Sequence, residues 1–76
     1  MFLRKNFSAR VKNLRTANNL TQKQLSDIIN MSENTISMIE NGNRAASIEV
    51  IFALADYFNV SIDYLTGRTD KPEINK

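Results

Sequence analysis

The sequence contains no cysteine and no histidine. Those absences exclude disulfide stapling, Cys/His zinc sites and thiol chemistry, and they remove the usual catalytic nucleophile–base pairs. Glycine occurs twice, at Gly42 and Gly67, so no glycine-rich loop exists to cradle a phosphate. No cluster of metal-ligating residues is evident. The carboxylates Asp27, Glu40, Asp56 and Asp63 have simpler roles as surface or capping groups. The chain is therefore not read as an enzyme, and no cofactor, metal or small-molecule ligand is expected. No apolar run approaches membrane-spanning length, and the start MFLRKNF lacks the long apolar region of a signal peptide. A cytoplasmic location fits this composition. Internal repeats and strand-like alternation are also missing.

What is present is a short helical chain. Its 76 residues suffice for one domain and not for two. So small a core buries little of the unfolded surface, and helix packing must supply the stability. Net charge is only +2, but it is unevenly placed. Residues 1–44 carry seven Lys or Arg against three Asp or Glu, a net +4, and residues 45–76 carry three against five, a net −2. A basic half suits a phosphate-facing surface, although an ordinary solvated surface gives the same asymmetry by chance.

The chain is organised around TQKQLSDIINMSENTISMIENG, residues 21–42. Thr21 is a candidate N-cap, and Leu25, Ile28 and Ile29 recur with helical spacing. Asn30 tolerates the left-handed backbone that ends a helix. Ser32 can cap a second helix at once, with Ile36 and Ile39 as its apolar face and Gly42 as its stop. The pattern predicts helices over 21–29 and 32–41 joined by a tight turn, a helix-turn-helix whose second member can enter a DNA major groove.

Around this unit, 1–6 reads as a basic arm or frayed start. A first helix is expected over 8–18, with Phe7, Val11, Leu14 and Asn18 on one stripe and a stop at Asn18-Asn19. Leu20 packs as the chain enters the second helix. Ser47 caps a fourth helix that is apolar over most of its circumference, expected as the central buried element and ended by Asn59. Ser61 caps a short fifth helix over 62–66, ended by Gly67. Residues 1–67 form the domain, and 68–76 read as a polar, disordered tail or linker.

On the third helix, Ile36 and Ile39 set the inward direction and place Asn34, Ser37, Met38 and Asn41 opposite. Glu33 is on the flank of the first turn, and Glu40 lies toward the buried side. Asn suits adenine, Glu can accept from cytosine N4, and Met38 can touch a thymine methyl. Glu33, Asn34, Ser37 and Met38 are the candidate base contacts. The plainer alternatives are a dipole role for Glu33, an ordinary surface position for Asn34, and loop packing by Met38. Thr21, Gln22, Lys23, Asn41, Asn43 and Arg44 flank this helix as candidate phosphate contacts, with Arg10 from the first helix. Each cation alone is more readily a solvated side chain, and the case is for the set. Glu40 needs a partner if buried, and Arg15 is the candidate for a structural fork.

The stretch LTQKQLSDIINMSENTISMIENGNRAASIEVIFALADYFNVSIDYL, with the closing VSIDYLTGRTD, resembles the Cro/phage-repressor-type helix-turn-helix family, also called the xenobiotic-response-element type. The resemblance covers about residues 10–65. It implies an all-α, compact five-helix domain that binds double-stranded operator DNA, usually as a homodimer. By the same resemblance Gln22 matches a phosphate-contacting position, while Glu33, Asn34, Ser37 and Met38 match base-reading ones. Asn41, Asn43 and Arg44 match the backbone-binding end of the third helix and its loop, and Arg15 and Glu40 match a structural ion pair. Ser26, Asn30 and Ala46 stand where the family often has Ala, Gly and Pro. Met38 stands where Arg or another polar residue is common, so the family's base preference is not carried over.

The expected function is a sequence-specific regulator of transcription, read as a repressor that occludes a promoter, with recruitment of polymerase as the route if it activates instead. The alternative is a protein-interaction module, such as the antitoxin of a toxin–antitoxin pair, with DNA binding secondary. Its partner surface would then involve apolar and aromatic residues near Tyr57, Tyr64 and Leu65, where a dimer interface of the fourth and fifth helices is also placed.

Overall fold

The computed structural model describes residues 4–43 and 46–73. They form five helices and, among the described residues, no strand: α1 (Arg4–Ala17), α2 (Gln22–Ile28), α3 (Glu33–Glu40), α4 (Ile48–Phe58) and α5 (Ile62–Leu65). Among the described residues the fold is all-α, as the sequence resemblance implies.

Local chemistry sets the starts. The Thr21 hydroxyl accepts from the Gln24 N–H at 3.0 Å, and the Gln24 side chain accepts from the Thr21 N–H at 2.9 Å, a reciprocal capping box. Ser32, Ser47 and Ser61 accept from the N–H of Thr35, Val50 and Tyr64 and start α3, α4 and α5 in the same way. The stops share one geometry. Asn19, Asn30, Gly42, Asn59 and Gly67 all have φ between +56° and +83°. After each, the next N–H reaches back to close a six-residue loop: Leu20 to Arg15, Met31 to Ser26, Asn43 to Met38, Val60 to Ala55 and Arg68 to Asp63. This closure satisfies carbonyls that a helix end leaves unpaired and turns the chain sharply each time.

The turns fold the apolar stripes onto one another. Phe7, Val11, Leu25, Ile36, Ile39, Leu54 and Leu65 are fully buried, with Val50, Ala55 and Val60 nearly so. Leu14, Leu20, Ile29 and Met31 close the margin. α3 packs on both α1 and α2, and α5 on α1 and α4. Inside the core the Ser8 hydroxyl donates to the Ile39 carbonyl at 2.6 Å and fastens α1 to the end of α3.

The structure corrects four expectations. First, α1 begins at Arg4 and not at residue 8. No helix breaker precedes Phe7, and its complete burial fixes the first turn, while Ser8 spends its hydroxyl on α3 instead of on a cap. Second, Asn18 is exposed and bonds the Leu14 carbonyl, so the buried stripe of α1 ends before it. Third, α4 is not enveloped: Ile48, Phe52 and Tyr57 are 66%, 49% and 44% exposed. A core this small covers one face of the helix only. Fourth, residues 68–73 lie back on the domain. The Ser61 N–H donates to the Pro72 carbonyl at 3.0 Å, and Arg10 holds Asp70 at 2.7 Å. No helix among the described residues is long and apolar enough to cross a membrane.

Candidate nucleic-acid interface

α2 and α3 are joined by residues 29–32, in which Asn30 at φ +59° makes the turn. The inner side of α3 is sealed: Ile36 and Ile39 are fully buried and Thr35 nearly so. Its outer side is open. Glu33, Asn34 and, one residue past the helix, Asn41 are exposed, while Ser37 and Met38 are half-buried between them. Two contacts run along this face. The Asn34 amide donates to the Met38 sulfur at 3.5 Å, and the Asn41 amide donates to the Ser37 hydroxyl at 3.5 Å.

One ion-pair network holds the rod in place. Arg15 Nε and Nη2 reach the two carboxylate oxygens of Glu40 at 2.6 and 2.9 Å, and Nη1 donates to the Leu20 carbonyl at 2.8 Å. The Glu40 side chain is only 2% exposed and Arg15 13%, so each needs the other. Hydrogen bonding to Glu40 raises the Arg15 pKa, with burial opposing and the Glu40 charge assisting. The Gln22 amide joins at 3.3 Å from Glu40. The first residue of α2 is thereby fixed beside the last of α3.

Thr21, Gln22, Asn41 and Asn43 therefore gather at one end of α3, with Glu33 and Asn34 at the other. Thr21 is exposed, but its oxygen is engaged as a cap. Lys23 is exposed and pairs with Asp27 one turn on, at 3.1 Å. Arg10 does not join the group. Its guanidinium lies 4.1 Å from the centre of the Tyr64 ring, pairs with Asp70 and reaches the Thr69 carbonyl. Arg44 lies outside the described residues. Leu65 is fully buried and presents nothing to a partner, whereas Tyr57 is exposed.

Sequence reasoning missed three contributors. Ser8 and Asp70 each hold an element by a contact between distant positions, which no local pattern marks, and the Leu20 carbonyl accepts from Arg15 across the corner after α1, outside any helical spacing. The open face of α3 supplies amides, a hydroxyl, a carboxylate and a thioether, and α3 contains no Lys or Arg. Such groups match base edges better than phosphates.

Comparison with known proteins agrees with this geometry. A helix-turn-helix family model matches residues 11–65. The chain is 30% identical over 67 residues to the uncharacterized HTH-type transcriptional regulator YobD of Bacillus subtilis, covering 88% of this chain and 60% of that protein. It is 37% identical over 57 residues to antitoxin PezA of Streptococcus pneumoniae, covering 75% of this chain and 36% of that protein. Among solved structures, the restriction-modification controller protein C.AhdI of Aeromonas hydrophila superposes with a TM-score of 0.75 at 27% identity, covering 82% of this chain and 94% of that one. The chain thus spans less than two thirds of both curated relatives and nearly the whole of the controller protein. With its five helices, its α2–turn–α3 unit and this match over most of its length, the chain belongs to the Cro/phage-repressor-type helix-turn-helix family.

Proposed function

We propose that this chain is a sequence-specific, DNA-binding regulator of transcription that reads the major groove of a duplex operator with α3. One observation carries the reading: α3 is sealed on one side by Ile36 and Ile39, and its open side offers Asn34, Ser37, Met38 and Asn41. Asn34, Ser37, Met38 and Glu33 contact bases, and Gln22, Lys23, Asn41, Asn43 and Arg44 contact the flanking backbone, with Thr21 beside them. Binding represses by occlusion, in the cytoplasm, and requires no chemistry. The protein acts as a homodimer on DNA, paired through the exposed Ile48, Phe52 and Tyr57 of α4 together with α5. Half-sites then lie about one helical turn, roughly 34 Å, apart.

A gel-shift series over rising salt tests this. Affinity for a selected duplex should fall steeply as counterions compete for the phosphates, and should exceed affinity for random sequence at every salt. Flat salt dependence or equal binding to all sequences refutes it.

A second reading has the chain as the antitoxin of a toxin–antitoxin pair. The 37% identity to a protein named as an antitoxin favours it, together with the apolar face of α4. A stoichiometric protein complex that survives salt sufficient to strip DNA would select this reading.

A further inference from the structure

α3 carries Asn34 and Met38 four residues apart, on the same open face, with the amide nitrogen 3.5 Å from the thioether sulfur. Sulfur in a thioether only accepts hydrogen bonds, and weakly. That chemistry decides which way the amide faces: the NH2 group must point to sulfur and the carbonyl oxygen away. A primary amide has two N–H groups. If sulfur takes the one remote from Oδ1, the other N–H and Oδ1 remain side by side as a donor–acceptor pair.

That pair is the complement of one base edge. Adenine offers N7 as acceptor and N6 as donor in the major groove, whereas guanine offers two acceptors there. A guanine fork requires Arg or Lys, and α3 has neither. We propose that Met38 is a positioning residue that holds the Asn34 amide in the adenine-reading orientation, so that each half-site carries an A·T pair opposite Asn34. The proposal rests on the DNA-binding reading above and adds what α3 selects and how the selection is enforced. Met38 acts through Asn34. A methionine at this site is also less costly to seat in a groove than a charged side chain, since it carries no charge to desolvate.

The test begins with selection of duplexes from a random pool by the 76-residue chain and by Asn34→Ala, Met38→Leu and Asn41→Ala, each with an unchanged helical spectrum. The wild type should fix an A·T pair at one position per half-site. Asn34→Ala should relax that position alone, by about tenfold or more. Met38→Leu keeps the volume and removes the acceptor, and should relax the same position by about two- to fivefold. Asn41→Ala should weaken all sequences alike. Replacing the selected adenine by 7-deazaadenine removes N7 without touching the protein. It should weaken the wild type and leave Asn34→Ala unaffected.

If Met38→Leu keeps the adenine preference, Met38 does not hold the Asn34 amide and the proposal is overturned, whether or not a neighbouring thymine relaxes. It is likewise overturned if enriched duplexes contain no position that responds to Asn34→Ala. A pool with no enrichment by the wild type removes the DNA-binding reading itself, an outcome distinct from the other two.

Discussion

The guanidinium of Arg15 grips both carboxylate oxygens of Glu40, 25 positions away and on a different helix, while its third nitrogen holds the Leu20 carbonyl. This fork ties α1, the α1–α2 corner and the end of α3 into one body. Arg15→Ala should therefore destabilise the protein in the absence of DNA, because it leaves Glu40 desolvated and unpaired. The expected loss is about 3 kcal/mol, which in a chain this size lowers Tm by roughly 10 °C or more. Arg15→Lys keeps the charge but not the fork and should recover only part of the loss. A thermal melt with an unchanged midpoint for Arg15→Ala would contradict this role.

Gly42 and Gly67 both close helices with positive φ, yet they differ in their surroundings. Among the described residues a Cβ at Gly42 would meet only the Ser8 hydroxyl oxygen, at 3.6 Å, whereas at Gly67 it would fall 2.6 Å from the Asn6 Cβ. Gly42→Ala should cost about 1 kcal/mol, the penalty of the left-handed backbone alone. Gly67→Ala should cost more, roughly 2–3 kcal/mol, since α1 must also give way. Urea titration of the two variants measures the difference, and equal losses would mean that the first turn of α1 is not seated against α5's end.

Arg10 was a candidate phosphate contact by its charge. Its contacts are with Tyr64, Asp70 and Thr69, all C-terminal to α5's start. Arg10→Ala should lower Tm only slightly, because Asp70 is exposed and surface pairs contribute little. It should leave the slope of log K against log salt unchanged, whereas loss of a true phosphate contact reduces that slope by about one unit. A reduced slope would return Arg10 to the DNA-facing set.

Phe52 is half-exposed at the middle of α4 and lines a shallow groove with Ala55, Val60 and Ile62. If α4 pairs two copies, Phe52→Lys should weaken self-association by about tenfold or more, as expected for an apolar anchor at an interface. The helical spectrum should not change. Sedimentation equilibrium with and without operator checks this, and an unaltered association constant would place the interface elsewhere.

The caps of α2 to α5 and the stops of all five helices were legible in the sequence because each depends on one residue type at one position. Thr21, Ser32, Ser47 and Ser61 accept from a nearby N–H, and Asn19, Asn30, Gly42, Asn59 and Gly67 tolerate positive φ. The open face of α3 was legible for a similar reason, since Ile36 and Ile39 fix its rotation. What periodicity hid was long-range. The early start of α1 follows from the seat of Phe7 in the core, and the return of residues 68–73 follows from Arg10 and Ser61. The exposed side of α4 was misread because an apolar sequence reports a preference for burial, not the presence of something to bury against.

The central claim is that the open side of α3 meets DNA. Its most direct test is to titrate isotopically labelled protein with a selected duplex and follow backbone amide shifts by NMR. The largest changes should fall at Gln22, Asn34, Ser37, Met38 and Asn41, with Val50, Leu54 and Leu65 little moved. Changes confined to α4 and α5, or the same pattern with any random duplex, would contradict it.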